Sequence, residues 1–207
     1  MITLGAMSGT STDGIDVAAL ELIEGRFHFL GVHSEEFTPE LRARLLQIQE
    51  VPWRHAGTAQ SDALTELLLT RKALSEAYVL SCMGLLDHLS LDNSKVSAVG
   101  VHGQTLRHRP DLGFTYQMID PALVATRLGI DVVSDFRSKD VALGGQGAPL
   151  VPAFHEAWVR SSGEQGDVAV LNLGGFSNLT VLGSDGSVVG GDCGPANVWM
   201  DHVARLN

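Results

Sequence analysis

Two stretches of the sequence share one pattern: an apolar run, a turn of small polar residues, and a second apolar run. The first spans 2–22, where Ile2–Met7 gives way to Ser8-Gly9-Thr10-Ser11-Thr12-Asp13-Gly14 and then to Ile15–Leu22. The second spans 168–182, where Val168–Leu173 is followed by Gly174-Gly175 and by Phe176–Leu182. Short apolar runs bounded by glycine and serine read as strands, and a tight turn between two of them pairs them antiparallel. A hairpin that recurs in one chain implies two related units facing one another. After the second hairpin and Val188–Val189 there is room for only one helix, over 196–206, so the sequence reads as cut short.

Between the hairpins the pattern is mixed α/β. Glu24-Gly25 is a turn signal and 26–37 reads as a third strand, so a three-stranded antiparallel meander opens the chain. Pro39 begins a helix whose apolar face is Leu41, Leu45, Leu46 and Ile48. A long helix is predicted from about Thr58 to Leu89. Its stripe of Leu64, Leu67, Leu68, Leu74, Tyr78, Cys82, Leu85 and Leu89 reads as core packing. Val96–Val101 is a buried strand, Pro121–Leu128 a helix stopped by Gly129, and Ile130–Val133 another strand. Residues 138–149 read as a glycine-rich connection and mark the expected domain junction, with a first domain over 1–136 and the start of a second over 137–207.

Charge excludes one class of function. Lys and Arg total 14 against 24 Asp and Glu, a formal net charge of -10, which gives no basic face for nucleic acid. A single nucleotide is still admissible, because backbone N–H groups and a metal ion can hold its phosphates. Cys82 and Cys193 form no CxxC pair, no run of about 18 apolar residues exists to cross a membrane, and Met1–Met7 lacks the features of a signal peptide. The expectation is a soluble protein of the cytoplasm, with no membrane or nucleic-acid partner.

Three groups of residues carry candidate chemistry. Gly9, Thr10, Ser11, Thr12, Asp13 and Gly14 combine close backbone approach with hydroxyl donors, which suits phosphate but is equally the composition of a plain hairpin turn. The segment is not a P-loop, since no Gly-Lys-Ser/Thr follows, and it lacks dinucleotide-fingerprint spacing. Gly174 and Gly175, with Phe176-Ser177-Asn178, repeat it as a second phosphate turn. Asp192, between glycines and between a strand and a helix, suits a general base reaching a hydroxyl or water, although a helix N-cap or loop aspartate fits that place too. His102-Gly103-Gln104-Thr105 with Arg107-His108-Arg109, and Asp135-Phe136-Arg137, end neighbouring strands with groups suited to a sugar and its carboxylate. A lone strand-end histidine is more often structural.

Taken in order, these residues resemble the anhydro-N-acetylmuramic acid kinase family, of the actin/Hsp70/sugar-kinase superfamily. The resemblance is carried by Met7–Asp16, His102–Thr105, Gln117–Leu123, Asp135–Arg137, Gly144–Pro152, Asn172–Thr180 and Gly191–Asn197. It implies a ribonuclease-H-like α/β fold, with the first domain complete and the second truncated. It also implies that 1,6-anhydro-N-acetylmuramic acid, water and ATP with Mg²⁺ yield N-acetylmuramic acid 6-phosphate, a step of cell-wall recycling. Asp192 falls on the family's general base and the Gly9–Gly14 turn on its ATP phosphate site. His102, Gln104, Thr105, Asp120, Arg137, Gly194 and Asn197 fall in its sugar-side segments, while the metal ligands are not assigned. The partners implied are ATP and a small sugar; a homodimer is left open. Thr12 stands where the family usually has methionine, and Cys193 and Ala196 replace a threonine and a glycine. A nucleotide switch without a sugar substrate, and an ordinary hydroxyl-directed sugar kinase, are the competing readings. The family's chains run longer, so the 207-residue piece by itself is expected to be inactive or nearly so. Tight ATP binding in a fluorescent-nucleotide titration would contradict that.

Overall fold

The computed structural model describes residues 1–9, 11–50 and 62–206. Strands β1 (Ile2–Met7), β2 (Gly14–Ile23) and β3 (Arg26–Glu36) form the expected antiparallel meander. Alternation decides its faces. In β2, Ile15, Val17 and Ala19 are buried while Asp16 points to solvent.

Helix α1 (Pro39–Gln49) starts where Thr38 accepts a hydrogen bond from the Leu41 amide at 3.3 Å and Pro39 takes the first turn. It buries Leu41, Leu45 and Ile48; Leu46 faces outward, unlike the expected face. Helix α2 (Ala63–His88) is capped by Asp62, which accepts from the Thr65 amide at 2.7 Å. The part of the predicted helix before it, 58–61, lies outside the described residues. Leu74, Tyr78, Cys82 and Leu85 form the buried stripe, whereas Leu64 and Leu68 in the first turns are exposed. Burial pushes the Cys82 thiol up to about 12, so it packs as an inert apolar group.

The chain then forms β4 (Val96–Val101), a hairpin of β5 (Gln104–Arg109) and β6 (Phe114–Met118), helix α3 (Pro121–Leu128) and the short β7 (Val132–Val133). Helices α4 (Ser138–Ala142) and α5 (Pro152–Ser161) lead to β8 (Val168–Leu173), β9 (Phe176–Leu182), β10 (Val188–Pro195) and α6 (Asn197–Leu206). Four features depart from the sequence reading. The β5–β6 hairpin and α5 were not foreseen, the stretch 138–149 begins with a helical turn, and the third strand of the second meander runs on through Asp192 to Pro195.

The main sheet has the order β3-β2-β1-β4-β7. β4 lies parallel to β1 and to β7, while β1, β2 and β3 are antiparallel. This is the ribonuclease-H-like order that the sequence resemblance implies. β8, β9 and β10 form a separate antiparallel meander, the same pattern on which the chain opens. One continuous core joins Leu4, Val17, Val99 and Val101 of the main sheet to Leu45, Leu74, Tyr78 and Leu85 of the helices.

This burial pattern makes a stability prediction. Leu85→Ala removes a fully buried side chain and should cost about 2–5 kcal/mol in urea denaturation. Leu80→Ala, on the exposed side of the same helix, should stay within about 0.5 kcal/mol.

Candidate functional site

The C-terminal ends of β1 and β4 lie side by side, because the two strands are parallel neighbours in register from Thr3 opposite Ala98 to Ala6 opposite Val101. The His102 amide extends the ladder by donating to the Ala6 carbonyl at 3.0 Å. The turn after β1 and the loop after β4 are therefore brought together, and buried side chains tie them. The Ser8 hydroxyl meets the Tyr78 hydroxyl at 2.9 Å and the Gly103 carbonyl at 3.3 Å. Burial pushes the Tyr78 phenol up to about 12, so it remains a neutral partner throughout the working pH range. Gln104 donates from Nε2 to the Gly9 carbonyl at 3.1 Å.

Within the first turn, Thr10 lies outside the described residues. The Thr12 amide donates to the Gly9 carbonyl at 3.2 Å, closing the turn. Thr12 is fully buried with φ 52°, an unusual conformation for a β-branched residue. Its carbonyl accepts from Arg42 Nε at 3.0 Å and its hydroxyl from Gln49 Nε2 at 3.2 Å, so α1 holds it in place. Ser11 and Asp13 are exposed. Gly14 is required by the sheet instead: a Cβ there would run into the Glu35 carbonyl of β3.

A second cluster surrounds Arg137. Its Nε donates to His102 Nε2 at 3.0 Å and its Nη1 to the Gly147 carbonyl at 2.6 Å. An arginine can only donate, so His102 Nε2 carries no proton. His102 Nδ1, 2.8 Å from the Gly103 carbonyl, must then be the protonated nitrogen. Burial holds the His102 pKa below its ordinary 6.5, opposed by the bond to Gly103 and helped by the Arg137 charge. Burial also lowers the pKa of Arg137, which stays charged all the same.

Other predicted residues already have structural employment. Gln104 is only 1% exposed, so it positions the first turn and does not offer its amide to a sugar. Thr105 accepts from Gln117 Nε2 at 3.4 Å. Asp120 caps α3 by accepting from the Leu123 amide at 3.1 Å, and pairs with Arg71 Nη2 at 3.1 Å. Arg107 donates to the Gln49 and Glu50 carbonyls at the end of α1, His108 bonds the Thr115 hydroxyl, and Arg109 forks onto Asp111. Those three residues brace local structure, a correction to their expected place facing a sugar. Tyr78, Arg71 and Asp140 contribute although no motif pointed to them; Tyr78 lay hidden in a helical stripe read as core.

In the second meander the Gly174 and Gly175 carbonyls accept from the Asn197 and Ala196 amides, both at 2.9 Å. Asn197 Nδ2 donates to the Leu173 carbonyl at 2.8 Å, and Ser177 to the Gly194 carbonyl at 3.0 Å. The second turn and the start of α6 thus form one unit. Asp192 pairs across β10 with Asn178, and the register shifts between Asp192 and Gly194. A bulge of this kind re-aims a side chain. Asp192 is exposed, and Cβ atoms added at Gly191 or Gly194 would meet nothing within 4 Å. Among the described residues no group of three or more His, Cys, Asp or Glu is arranged to hold a metal, and no helix is long and apolar enough to cross a membrane.

A mixed sheet of this order, with polar loops gathered at the ends of its parallel strands and a glycine-flanked carboxylate on a second meander, defines a ligand-binding α/β protein of the ribonuclease-H-like class. The family model for anhydro-N-acetylmuramic acid kinase matches residues 1–206. The chain belongs to that family. It is 46% identical over 198 residues to the anhydro-N-acetylmuramic acid kinase of Bordetella avium (strain 197N), covering 96% of this chain and 50% of the relative. The corresponding figures for the enzyme of Paraburkholderia xenovorans (strain LB400) are 42% over 205 residues, 99% and 52%. The chain spans about half the length of the curated relatives it matches. Among solved structures, a reductive activator for corrinoid, iron-sulfur protein matches with TM-score 0.46 and 16% identity, over 94% of this chain and 31% of the other.

The neutral state of His102 has a consequence in solution. The unfolded chain takes up a proton near pH 6.5, whereas the folded chain resists until a lower pH. The unfolded state then binds more protons across that window, so stability falls as pH drops below about 6.5. His155, buried against the Thr180 hydroxyl at 2.9 Å and also lowered by burial, acts with the same sign. Urea midpoints measured from pH 7.5 to 5 should decrease. Substituting either histidine by glutamine should flatten the dependence.

Proposed function

We propose that the full-length polypeptide carrying these residues is an ATP-dependent kinase of 1,6-anhydro-N-acetylmuramic acid. Water opens the anhydro bridge and O6 takes the phosphoryl group, giving N-acetylmuramic acid 6-phosphate for cell-wall recycling in the cytoplasm. The observation that carries this reading is Asp192: an exposed carboxylate on a strand bulge, flanked by glycines that leave space for a reacting water. His102 is unsuited to that duty, since its one lone pair is occupied by Arg137.

The residues of the first turn fit a nucleotide's phosphates. Gly9 and Ser11 present backbone and hydroxyl at an exposed turn, while Thr12 and Gln104 stiffen it from below. Asp13, exposed in the same turn, is the carboxylate available to Mg²⁺, which needs one or two carboxylates beside phosphate oxygens and waters. When bound, ATP with Mg²⁺ supplies the transferable phosphoryl group and shields its charge. Gly174 and Gly175 form the opposing turn, and Gly194 and Asn197 shape the approach to Asp192.

Arg137 is left with Nη2 free of protein partners among the described residues, a donor suited to the sugar's carboxylate or ring substituents. His102 accepts from its Nε, and Thr105 and Asp120, the latter paired with Arg71, are the further residues proposed for the sugar side. Asp192 accepts the proton of water as oxygen attacks the anomeric carbon. The C1–O6 bond breaks, and O6 is phosphorylated as it leaves.

A coupled ADP-release assay on the full-length polypeptide should show turnover with the anhydro-sugar and little with open hexoses or no sugar. Asp192→Asn should lower kcat by about 10²–10⁴, the usual worth of a positioned base. Undiminished turnover in that variant would remove Asp192 from its role. Hydrolysis independent of any sugar would refute the substrate assignment.

A further inference from the structure

The glycine-rich loop after α4 is folded back on that helix by one side chain. Asp140 Oδ2 accepts a hydrogen bond from the Gly147 amide at 2.6 Å, and the Asp140 carboxylate lies so close over Gly145 that any Cβ there would collide with it. The Asp140 carbonyl holds the Gly145 amide at 2.8 Å. Gly147 is buried with φ 68°, and a Cβ would press on Val141 Cγ2. The carboxylate therefore holds the amide of Gly147, and the carbonyl belongs to the next peptide, its direction set by the buried positive-φ geometry that Val141 reserves for glycine. That carbonyl is the one that receives Arg137 Nη1.

The geometry points to Asp140 as a positioning residue for the sugar side. Its carboxylate fixes Gly147, the Gly147 carbonyl fixes the Arg137 guanidinium, and Arg137 Nε fixes His102 as the Nδ1-protonated tautomer. Three successive bonds of 2.6, 2.6 and 3.0 Å connect Asp140 to Arg137 and His102, the two side chains proposed for the sugar side. The charge of Asp140 suits the chain, because a carboxylate strengthens the bond to the amide it accepts. An ordinary loop would leave Arg137 free to rotate about its long side chain, with only the Gly103 carbonyl favouring one His102 tautomer. Here the arginine fork is held at two corners, leaving the third for a ligand. This assignment concerns the relay itself; its value for catalysis rests on the proposed sugar-side role of Arg137 and His102.

The test uses imidazole ¹⁵N spectra of the histidine-labelled chain at pH 7.5, with His102 assigned by its loss in His102→Gln. The expected signature is one protonated Nδ1 and one unprotonated Nε2. Asp140→Asn, whose amide oxygen can still accept from Gly147, should keep it. Asp140→Ala should raise the Nε2-protonated fraction of His102 to a detectable level, with the Gly103 carbonyl still favouring the Nδ1-protonated form. If Asp140→Ala fails to fold, Asp140→Ser serves instead, since its short hydroxyl cannot span to Gly147. An unchanged His102 signature in a folded Ala or Ser variant overturns the relay. In the full-length polypeptide, Asp140→Ala should also raise KM for the anhydro-sugar about tenfold or more, with a smaller effect on kcat. A shifted tautomer with an unchanged KM would uphold the relay and reject the sugar-side reading.

Discussion

The parallel pairing of β1 with β4 is the constraint on which the candidate site depends. Antiparallel neighbours would send the chain out at opposite edges of the sheet. Parallel ones deliver two loops to the same edge, and here these are the turn at 8–14 and the segment 102–104. The pairing is made at the centre of the sheet, with β2 and β3 on one side and β7 on the other, and each strand buries one face, through Leu4 and Ala6 of β1 and Val96, Val99 and Val101 of β4. Tyr78 of α2 then reaches Ser8 beneath the two loop origins. One helix thus serves the core and the site from the same buried stripe.

A division of labour follows from which polar groups are buried. Gln104, Thr12, Ser8 and Tyr78 are hidden, and each is spent on another part of the protein. They make the loops rigid and leave outward-facing backbone and hydroxyls for a ligand. Among the described residues Gln104 Oε1 is buried without a protein partner, a cost accepted to place Nε2 on the Gly9 carbonyl. The same logic removes His102 from acid–base chemistry and makes it part of the mount for Arg137. An exposed carboxylate with room around it is then the group best able to move a proton, and Asp192 has that environment.

Much of the fold could be read from periodicity. The opening meander, α1, most of α2 and β4 follow from apolar runs, a helical stripe and a proline, all local signals. The β5–β6 hairpin could not be read, because Gln104–Arg109 is polar at nearly every position and is stabilised by pairing with β6 and by Arg107 reaching the end of α1. The extension of β10 through Gly190-Gly191-Asp192 was equally hidden. Glycines argue for a loop, and only the ladder to β9 keeps this segment extended. Within the site, motif residues were legible but their duties were not. Burial separates Gln104 from His102, and burial is decided by elements distant in the chain. Asp140 carried no signal at all, since its role exists only once the loop at 144–147 turns back on α4.

The two meanders repeat a topology without repeating its energetics. In the first, α1 and α2 bury the inward face, including Ile15, Val17 and Ala19. In the second, α5 covers one face, with His155 on Thr180 and Pro152 tight against Gly190, while Leu171, Leu173, Val181 and Val189 share the other face and remain exposed. Its anchorage to the first unit includes the edge-to-face contact of Phe154 with Phe27 at 5.6 Å. The Asp192 bulge and the Gly174-Gly175 turn lie on this second meander, whereas the Arg137 mount joins the loops that follow β4 and α4. The proposed base and the Arg137 mount thus belong to different structural units of the chain, and each is held by its own hydrogen bonds.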